Sequence, residues 1–217
     1  MPDCTTQPRP AGHVFVVDDD DALRDSIADL LRVVGYQVRC WASGSAFIAE
    51  IPRVAPAVLV TDMRMPDMTG VELHAELIRQ GRTLPVVYVS GESTVSQTVH
   101  AMKQGAVDFL IKPFGREELL RAVAASIEKD RRQMQDLISL ARVEEARSQL
   151  SPRERQVHEL LLKGFGNREI VEALNISLPT AKQYKSEVMR KFGTRSLAEL
   201  IALSAAARVE DDGASAG

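Results

Sequence analysis

Polar side chains follow several apolar runs in the first half of the 217-residue sequence. Each run is short and rich in Val, Ile and Leu, which is typical of buried strands. The carboxyl ends of parallel strands meet at one edge of a sheet, where such folds bind their ligands. We therefore predict one polar crevice that contains two acids from the first run and one group from each of three others: Asp18, Asp19, Asp62, Ser90 and Lys112.

Three of these side chains are carboxylates, which repel one another. At a separation of about 4 Å and an effective dielectric constant of about 20, each pair costs about 4 kcal/mol. A divalent cation offsets this repulsion, and an all-oxygen set of ligands suits Mg²⁺ best. We therefore expect Asp18, Asp19 and Asp62 to hold Mg²⁺. The remaining acids of the first run, Asp20 and Asp21, are expected at the start of a helix, where they favour the positive end of its dipole.

The hydroxyl of Ser90 and the ammonium group of Lys112 add donors to this predicted site. Beside a metal-bound carboxylate they form a seat for a phosphoryl group. Asp62 would be the nucleophile and would become an acyl phosphate. Phosphorylation adds about two negative charges, and Ser90 and Lys112 can turn to meet them. The residue types therefore predict phosphoryl transfer to Asp62.

The elements that position these residues follow from the pattern of the first half. Five β-branched runs alternate with amphipathic stretches, at a spacing that suits βα units rather than hairpins. In the first amphipathic stretch, apolar residues recur at helical spacing from Leu23 to Val34, and Gly35 supplies a stop. The predicted fold is a doubly wound, five-stranded parallel sheet. Strands are expected at 14–17, 37–41, 57–62, 85–90 and 108–113.

The segment 116–149 contains neither proline nor glycine and keeps a helical pattern. Two interpretations stay open: a helix that packs on the sheet and continues as a solvated linker, or a coiled coil that forms a dimer. Asp130 interrupts the heptad seam in either case. The seam residues are Leu120, Val123, Ile127, Met134, Leu137 and Ala141.

The last quarter of the chain predicts an all-α domain of four short helices. "SPRE" at 151–154 and "SLAE" at 196–199 are capping boxes, and Asn167 and Ser177 are expected to cap the two helices between them. These two helices, joined through "NISLP", form a predicted helix-turn-helix.

The second helix of this pair, "LPTAKQYKSEVMRKF" at 178–192, carries a net charge of +3. Its helical spacing puts Lys182 and Ser186 on one outer side together with Met189 or Arg190. A positive outer face at this place in a helix-turn-helix suits the major groove of DNA. The residues expected to face inward are Ala181, Val188 and Phe192.

Charge divides unevenly along the chain. Residues 1–125 carry 12 Lys and Arg against 16 Asp and Glu, whereas residues 150–207 carry 9 against 6. The apolar runs are too short and too often interrupted by charge to span a bilayer, and the Pro-rich start lacks the apolar core of a signal peptide. We expect a cytoplasmic protein without membrane contact, in which Cys4 and Cys40 are thiols.

Four motifs resemble the receiver domain of bacterial response regulators: "VDDDDALRDS", "VTDMRMPDMTGVEL", "VSGE" and "AMKQGAVDFLIKPF". The resemblance covers the first half of the chain and implies that Asp62 accepts the phosphoryl group. It implies that Asp19 and Asp62 ligate Mg²⁺ together with the backbone carbonyl of Arg64. Asp18 would act through a water molecule. The residues of the implied conformational switch are Ser90, Phe109, Lys112 and Pro113. The resemblance also implies that the peptide bond between Lys112 and Pro113 is cis.

The last quarter, from "LSPRERQ" to "SLAELI", resembles the DNA-binding domain of the LuxR/NarL type, and the whole chain resembles FixJ-type response regulators. By this resemblance, Lys182, Gln183 and Ser186 face base edges. Thr180 and Arg190 favour phosphates. The full set of candidate DNA contacts is Thr180, Lys182, Gln183, Lys185, Ser186 and Arg190.

The two resemblances together imply a DNA-binding transcriptional response regulator of a two-component system. A histidine kinase would phosphorylate Asp62 with Mg²⁺ as cofactor, and phosphorylation would promote homodimer formation around residues 94–124 and binding to promoter DNA. The chain would catalyse its own phosphoryl transfer and dephosphorylation and would not otherwise be an enzyme. The domains are expected at 1–12 (a flexible tail), 13–125 (the receiver), 126–149 (a helical linker), 150–207 (the LuxR-type domain) and 208–217 (a second flexible tail).

Two alternatives fit parts of the sequence. An apolar strand followed by Asp-x-Asp also resembles haloacid-dehalogenase-like phosphohydrolases, in which Asp18 would be the nucleophile and Asp20 the acid and base. That family does not account for Asp62 within "TDMRMPDMTG". A receiver-controlled regulator can also act through protein contacts alone, and a steep salt dependence of duplex binding distinguishes a DNA-binding protein from it.

Overall fold

Five parallel strands form the sheet that carries the polar residues. The structure is a computed structural model, and it describes residues 12–91 and 105–204. The strands are β1 (His13–Val17), β2 (Gln37–Trp41), β3 (Ala57–Asp62), β4 (Val86–Ser90) and β5 (Asp108–Ile111). They lie in the order β2-β1-β3-β4-β5, and all neighbouring pairs are parallel. The predicted five-stranded parallel sheet is confirmed.

The strand register aligns the polar strand ends at one edge of the sheet. Asp62, at the end of β3, pairs with Val89, and Ser90, at the end of β4, pairs with Ile111. Because β5 ends at Ile111 and not at Pro113, Lys112 begins the loop that leaves this edge. The N–H of Lys112 donates to the backbone oxygen of Ser90 at 2.8 Å, so the two residues stay side by side.

Helices cover both faces of this sheet. Along β1, Phe15 and Val17 belong to one hydrophobic core while Val14 and Val16 belong to the other, as expected for a strand buried on both sides. The first core also takes apolar residues from α2 and α3, and the second takes them from α1 and α4. The helix bounds are α1 (Asp21–Val34), α2 (Gly44–Ala49), α3 (Gly70–Arg79) and α4 (Arg116–Ser148).

The start and the end of α1 follow the predicted chemistry. Asp20 is the N-cap, and its carboxylate accepts from the N–H groups of Ala22 and Leu23 at 3.0 and 3.1 Å. Asp21 is the first residue of the helix, and Gly35 ends it with φ of 108°. The second pair of the four consecutive aspartates therefore begins a helix, as predicted.

The helix α4 is continuous over 33 residues. Val123 and Ile127 lie in the hydrophobic core of the sheet, which supports a packing helix over this stretch. Asp130, which interrupts the heptad pattern, is buried and accepts a hydrogen bond from the N–H of Ala57 at 2.7 Å. Leu137, further along the helix, is exposed, and a coiled coil in this part stays a prediction.

The chain divides into two compact units between Met134 and Gln135. The second unit has its own hydrophobic core, formed by the last turns of α4 and by the helices that follow. These helices are α5 (Pro152–Leu162), α6 (Asn167–Leu174), α7 (Leu178–Lys191) and a helical run at 197–204. The predicted all-α second domain is confirmed.

The helix caps of the second unit agree with the sequence except in two places. The box at Ser151 is complete, and Ser177 caps α7 through the N–H of Thr180. The prediction that Asn167 caps α6 is wrong, because Gly166 occupies the cap position and its N–H donates to Glu169 at 2.6 Å. At 196–199 the box is rearranged. Ser196 accepts from the N–H of Glu199, but the carboxylate of Glu199 accepts from Arg195 instead of Ser196.

Several predictions lie partly or wholly outside the described residues. These are the two flexible tails at 1–12 and 208–217 and the part of the dimer segment from 94 to 104. In the ranges that the structure does describe, each helix is too short or too polar to cross a lipid bilayer.

Candidate functional site

Three carboxylates converge at the carboxyl edge of the sheet. Oxygen atoms of Asp18, Asp19 and Asp62 all lie within 4.8 Å of one another. Asp18 is buried, Asp62 is half-buried and Asp19 is exposed, so the cluster opens to solvent on one side. The structure thus brings together the three acids that the sequence predicted to share one site.

Lys112 lies against two of these carboxylates. Its Nζ donates to Asp18 Oδ2 at 3.1 Å and to Asp62 Oδ2 at 3.0 Å. Burial alone would lower the pKa of Lys112, but the hydrogen bonds to Asp62 and Asp18 raise it above its usual value. Lys112 is therefore a permanent cation in contact with the predicted nucleophile.

Asp18 is held in place by the backbone of Asp20 and by Arg24 of α1. Its Oδ1 accepts from the N–H of Asp20 at 2.9 Å, and its backbone oxygen accepts from the Arg24 guanidinium at 2.9 Å. Burial raises the pKa of Asp18, although Asp20 and Lys112 act in the opposite direction. A buried carboxylate of this kind favours a nearby cation. The contact of Arg24 with Asp18 was not predicted from the sequence. The position of Arg24 one turn into α1, close to the end of β1, could have indicated it.

The loop from β3 to α3 approaches Asp62 closely. The N–H of Arg64 donates to Asp62 Oδ1 at 3.4 Å, a long bond. A Cβ atom at Gly70 would lie 2.5 Å from the backbone oxygen of Asp62, so this position requires glycine. Asp67 fastens the same loop to α2, because the N–H and hydroxyl of Ser45 donate to its Oδ2 at 2.8 and 2.6 Å. The role of Asp67 was also missed, since no local pattern links it to Ser45.

The residues of the predicted switch lie beside the carboxylates or on the neighbouring strand. Ser90 is buried at the end of β4, and its backbone oxygen accepts a hydrogen bond from the N–H of Lys112. Phe109 on β5 pairs with Tyr88 of β4 and is partly buried against the first core. The peptide bond from Lys112 to Pro113 is cis.

The donor set fits a divalent cation. Three carboxylates within 4.8 Å carry a formal charge of −3, and the Lys112 ammonium returns one positive charge. Each pair of carboxylates repels by at least about 3 kcal/mol at an effective dielectric constant of about 20. The resulting net charge of −2 and the all-oxygen ligands suit Mg²⁺.

The geometry of Asp20 argues against the phosphohydrolase alternative. That mechanism needs Asp20 as an acid and base facing the nucleophile. Here the Asp20 carboxylate is exposed and accepts from the first N–H groups of α1. It acts as a helix cap.

The second unit presents a helix-turn-helix composed of α6 and α7. The helices are joined at 175–177, where Asn175 takes a left-handed conformation with φ of 50°. Ala181, Val188 and Phe192 are buried, as predicted. The predicted DNA contacts are exposed or half-buried along the other side of α7: Thr180, Lys182, Gln183, Lys185, Ser186 and Arg190.

Two details refine the outer face of α7. Met189 packs against the core of the second unit, so Arg190 and not Met189 shares the outer side with Lys182. The guanidinium of Arg190 donates to Glu187 at 2.6 and 3.0 Å, and the Thr180 hydroxyl lies 2.7 Å from that of Ser177. Both predicted phosphate contacts are therefore oriented by neighbouring side chains.

One lysine of α7 is withdrawn from this face. Lys191 Nζ donates to Glu154 Oε2 at 2.7 Å, and the pair is largely buried. The contact with Lys191, followed by that with Ser151, lowers the pKa of Glu154 to about 2. Lys191 thus contributes to the fold of the second unit.

We expect acid to weaken the second unit through Glu154. Because the folded-state pKa is depressed from 4.5 to about 2, the stabilisation is complete above pH 4.5 and is lost as the pH falls towards 2. The loss of stability is about 3 kcal/mol. Denaturant titrations of the parent and of Glu154→Gln, followed by circular dichroism at several pH values, should give unfolding free energies that converge in acid. Trp41, the single tryptophan, reports the first unit separately by fluorescence.

Two family models match the chain. The model described as response regulator receiver domain matches residues 14–124, and the model described as bacterial regulatory proteins, luxR family, matches residues 148–204. The chain belongs to the response regulators. As a response regulator with a LuxR-type domain, it is a DNA-binding regulator of transcription, and the alternative of protein contact without DNA is not favoured.

Relatives of this response regulator match it over nearly the whole length. Response regulator protein TodT of Pseudomonas putida is 34% identical over 191 residues, which cover 88% of this chain and 84% of TodT. Transcriptional regulatory protein FixJ of Bradyrhizobium diazoefficiens is 37% identical over 207 residues, or 93% and 98% of the two chains. The solved structure of response regulator StyR is 35% identical and superimposes with a TM-score of 0.76, covering 89% of this chain and 98% of StyR. The two-domain architecture is therefore shared with full-length regulators.

Proposed function

We propose that this response regulator accepts a phosphoryl group on Asp62 from a sensor histidine kinase and then binds promoter DNA as a homodimer. The observation that carries the proposal is the contact of Asp62 with Lys112 within a cluster of three carboxylates. Asp62 is half-buried and accessible from the open side, whereas Asp18 is buried. Of the three acids, Asp62 therefore combines access with a fixed cationic neighbour.

Asp18, Asp19 and Asp62 would hold Mg²⁺, with the backbone carbonyl of Arg64 as a further ligand. When bound, the ion neutralises charge on the phosphoryl oxygens and on the carboxylates. The protein groups supply the rest of the chemistry. A carboxylate oxygen of Asp62 bonds to phosphorus while the bond from phosphorus to the donor breaks. Lys112, already 3.0 Å from Asp62, stabilises the negative charge on the transferred group.

Ser90 and Lys112 would convert phosphorylation into a change of conformation. Phosphorylation adds about two negative charges at Asp62. The Lys112 Nζ then gains a phosphoryl oxygen as acceptor, and the Ser90 hydroxyl can donate to another. Phe109 packs on the first core and lies on β5, which ends directly before Lys112. Movement of Lys112 at the end of this strand therefore changes the packing of Phe109. Hydrolysis of the acyl phosphate at the same site would return the protein to its resting state.

The second unit would recognise DNA through α7. Lys182, Gln183 and Ser186 would face base edges, and Thr180 and Arg190 would contact phosphates. Two phosphorylated chains would dimerise and place their α7 helices on half-sites about one helical turn apart. Dimer formation raises the apparent affinity by mass action, which links Asp62 to the promoter.

The proposal is tested on the full chain with a small-molecule phosphodonor. Donor and Mg²⁺ together should yield an acyl phosphate on Asp62, seen by mass spectrometry of the peptide, and should raise the dimer fraction in sedimentation. Removal of Mg²⁺ by a chelator should prevent both changes, because the carboxylate cluster then stays uncompensated. A donor-dependent dimer that forms equally well with the chelator would contradict the magnesium site.

A further inference from the structure

Three segments of the second unit meet at the ammonium group of Lys191. Besides its bond to Glu154 at 2.7 Å, Lys191 Nζ donates to the backbone oxygen of Gln149 at 3.0 Å. Glu154 Oε2 also accepts from the N–H of Ser151 at 2.7 Å. These contacts join the last turn of α7 to the start of α5 and to the residue that follows α4.

The contact is enclosed. The side chains of Lys191 and Glu154 are 17% and 9% exposed, so water screens their attraction weakly. A second contact lies next to it, where the ring of Phe192 stacks on the ring of His158 with centroids 4.6 Å apart. The C-terminal end of α7 is therefore fixed on α5 by charge and by ring packing.

This anchor lies at the C-terminal end of α7, whereas the predicted base contact Lys182 lies in the first half of the helix. Lys182 precedes Lys191 by nine residues, which corresponds to about 13 Å along the helix. A tilt of about 5° around the anchored end moves the side chains near Lys182 by about 1 Å. Hydrogen bonds tolerate a distance range of about 0.5 Å, so such a tilt breaks base contacts. Contacts to phosphates depend mainly on charge and tolerate it better.

We propose that Glu154 and Lys191 are positioning residues for DNA recognition. Their ion pair fixes the end of α7, and it thereby keeps the side chains at 182–186 aligned with the base edges. Lys191 acts without contacting DNA. This inference rests on the proposed function, in which α7 contacts the bases. It states that the buried ion pair is needed for the protein to distinguish a specific from a non-specific duplex.

The test uses the full chain and two DNA probes. The specific probe is a duplex selected from a random pool by the parent protein, and the non-specific probe is a repeating duplex of alternating purines and pyrimidines. Affinities are measured over a series of salt concentrations, well below the thermal midpoint of each variant. The variants are Glu154→Gln, Lys191→Gln and Lys191→Arg, and Lys163→Gln, an exposed lysine at the end of α5, is the control for lost charge.

Glu154→Gln and Lys191→Gln should each lower the affinity for the specific duplex about 10-fold and that for the non-specific duplex less than about 2-fold. The salt dependence should keep its slope, because no phosphate contact is removed. Lys191→Arg, unlike Lys191→Gln, should retain most of the specificity of the parent, since a guanidinium can donate to both Glu154 and Gln149. Lys163→Gln should leave the ratio of the two affinities unchanged.

Two results would overturn the inference while leaving DNA binding in place. If Lys191→Gln weakens both duplexes equally and reduces the salt slope by about one, Lys191 is a phosphate contact. If Glu154→Gln lowers the thermal midpoint but keeps the specificity ratio, the ion pair serves stability alone. Failure of the parent protein to enrich any duplex would instead contradict the proposed function together with the inference.

Discussion

Asp62→Asn is expected to abolish phosphoryl incorporation and, with it, the donor-induced rise in dimer content and DNA affinity. The amide is a poor nucleophile, and it removes the negative charge that Lys112 and the predicted Mg²⁺ share. The size of the side chain is unchanged, so the fold of the first unit should persist. Mass spectrometry of the peptide containing residue 62 and sedimentation of the full chain measure the two effects directly.

Asp136→Asn provides a matched control for Asp62→Asn. Asp136 is an exposed aspartate of α4, remote from the carboxylate cluster along the chain. It should respond to the phosphodonor like the parent protein. An Asp62→Asn variant that still acquires the phosphoryl group on a neighbouring acid, with an undiminished DNA response, would show that Asp62 is not the functional acceptor.

The sheet and its polar edge could be predicted because parallel strands buried on both faces are nearly uninterrupted apolar runs. A polar residue at the end of such a run marks the position where the strand leaves the core. That rule placed Asp62 and Ser90 at the ends of β3 and β4. It extended β5 two residues too far, because Pro113 belongs to the loop. The edge itself was placed correctly, since the register of parallel strands aligns their ends.

Contacts between distant parts of the chain could not be predicted from periodicity. The pattern of α7 showed which side faces the core, but it counted Lys191 among the lysines of a basic helix. Its partner Glu154 lies 37 residues earlier and looked like an ordinary member of a capping box. A side chain near the edge of a helical face can turn towards either solvent or a partner, and the sequence contains no local signal for that choice.

The contact of Asp130 with Ala57 is a second long-range contact that periodicity could not predict. In the sequence, Asp130 interrupts a heptad seam. In the structure its buried carboxylate accepts from the N–H of Ala57, the first residue of β3. A buried backbone donor needs an acceptor, and a long-range side chain supplies it here. An interruption of an apolar seam can therefore mark a specific tertiary contact.

Lys182→Ala is expected to weaken binding to the selected duplex by about 1 to 3 kcal/mol if Lys182 contacts a base edge. The loss of binding free energy should come from the contact with a single base pair. In a set of duplexes with single substitutions, the variant should discriminate less at that pair and as well as the parent at the others. Lys182 is exposed on α7, so removal of its side chain should leave the stability of the second unit nearly unchanged.

Arg190→Ala distinguishes this result from a general loss of charge. Arg190 is expected to contact phosphate, so its removal should weaken specific and non-specific duplexes alike and reduce the salt slope by about one. The pattern also separates Lys182 from the ion pair of Glu154 and Lys191, because a tilted helix should relax discrimination at several base pairs together. If Lys182→Ala instead reproduces the uniform loss of Arg190→Ala, Lys182 is a phosphate contact and the bases are recognised by other residues of α7.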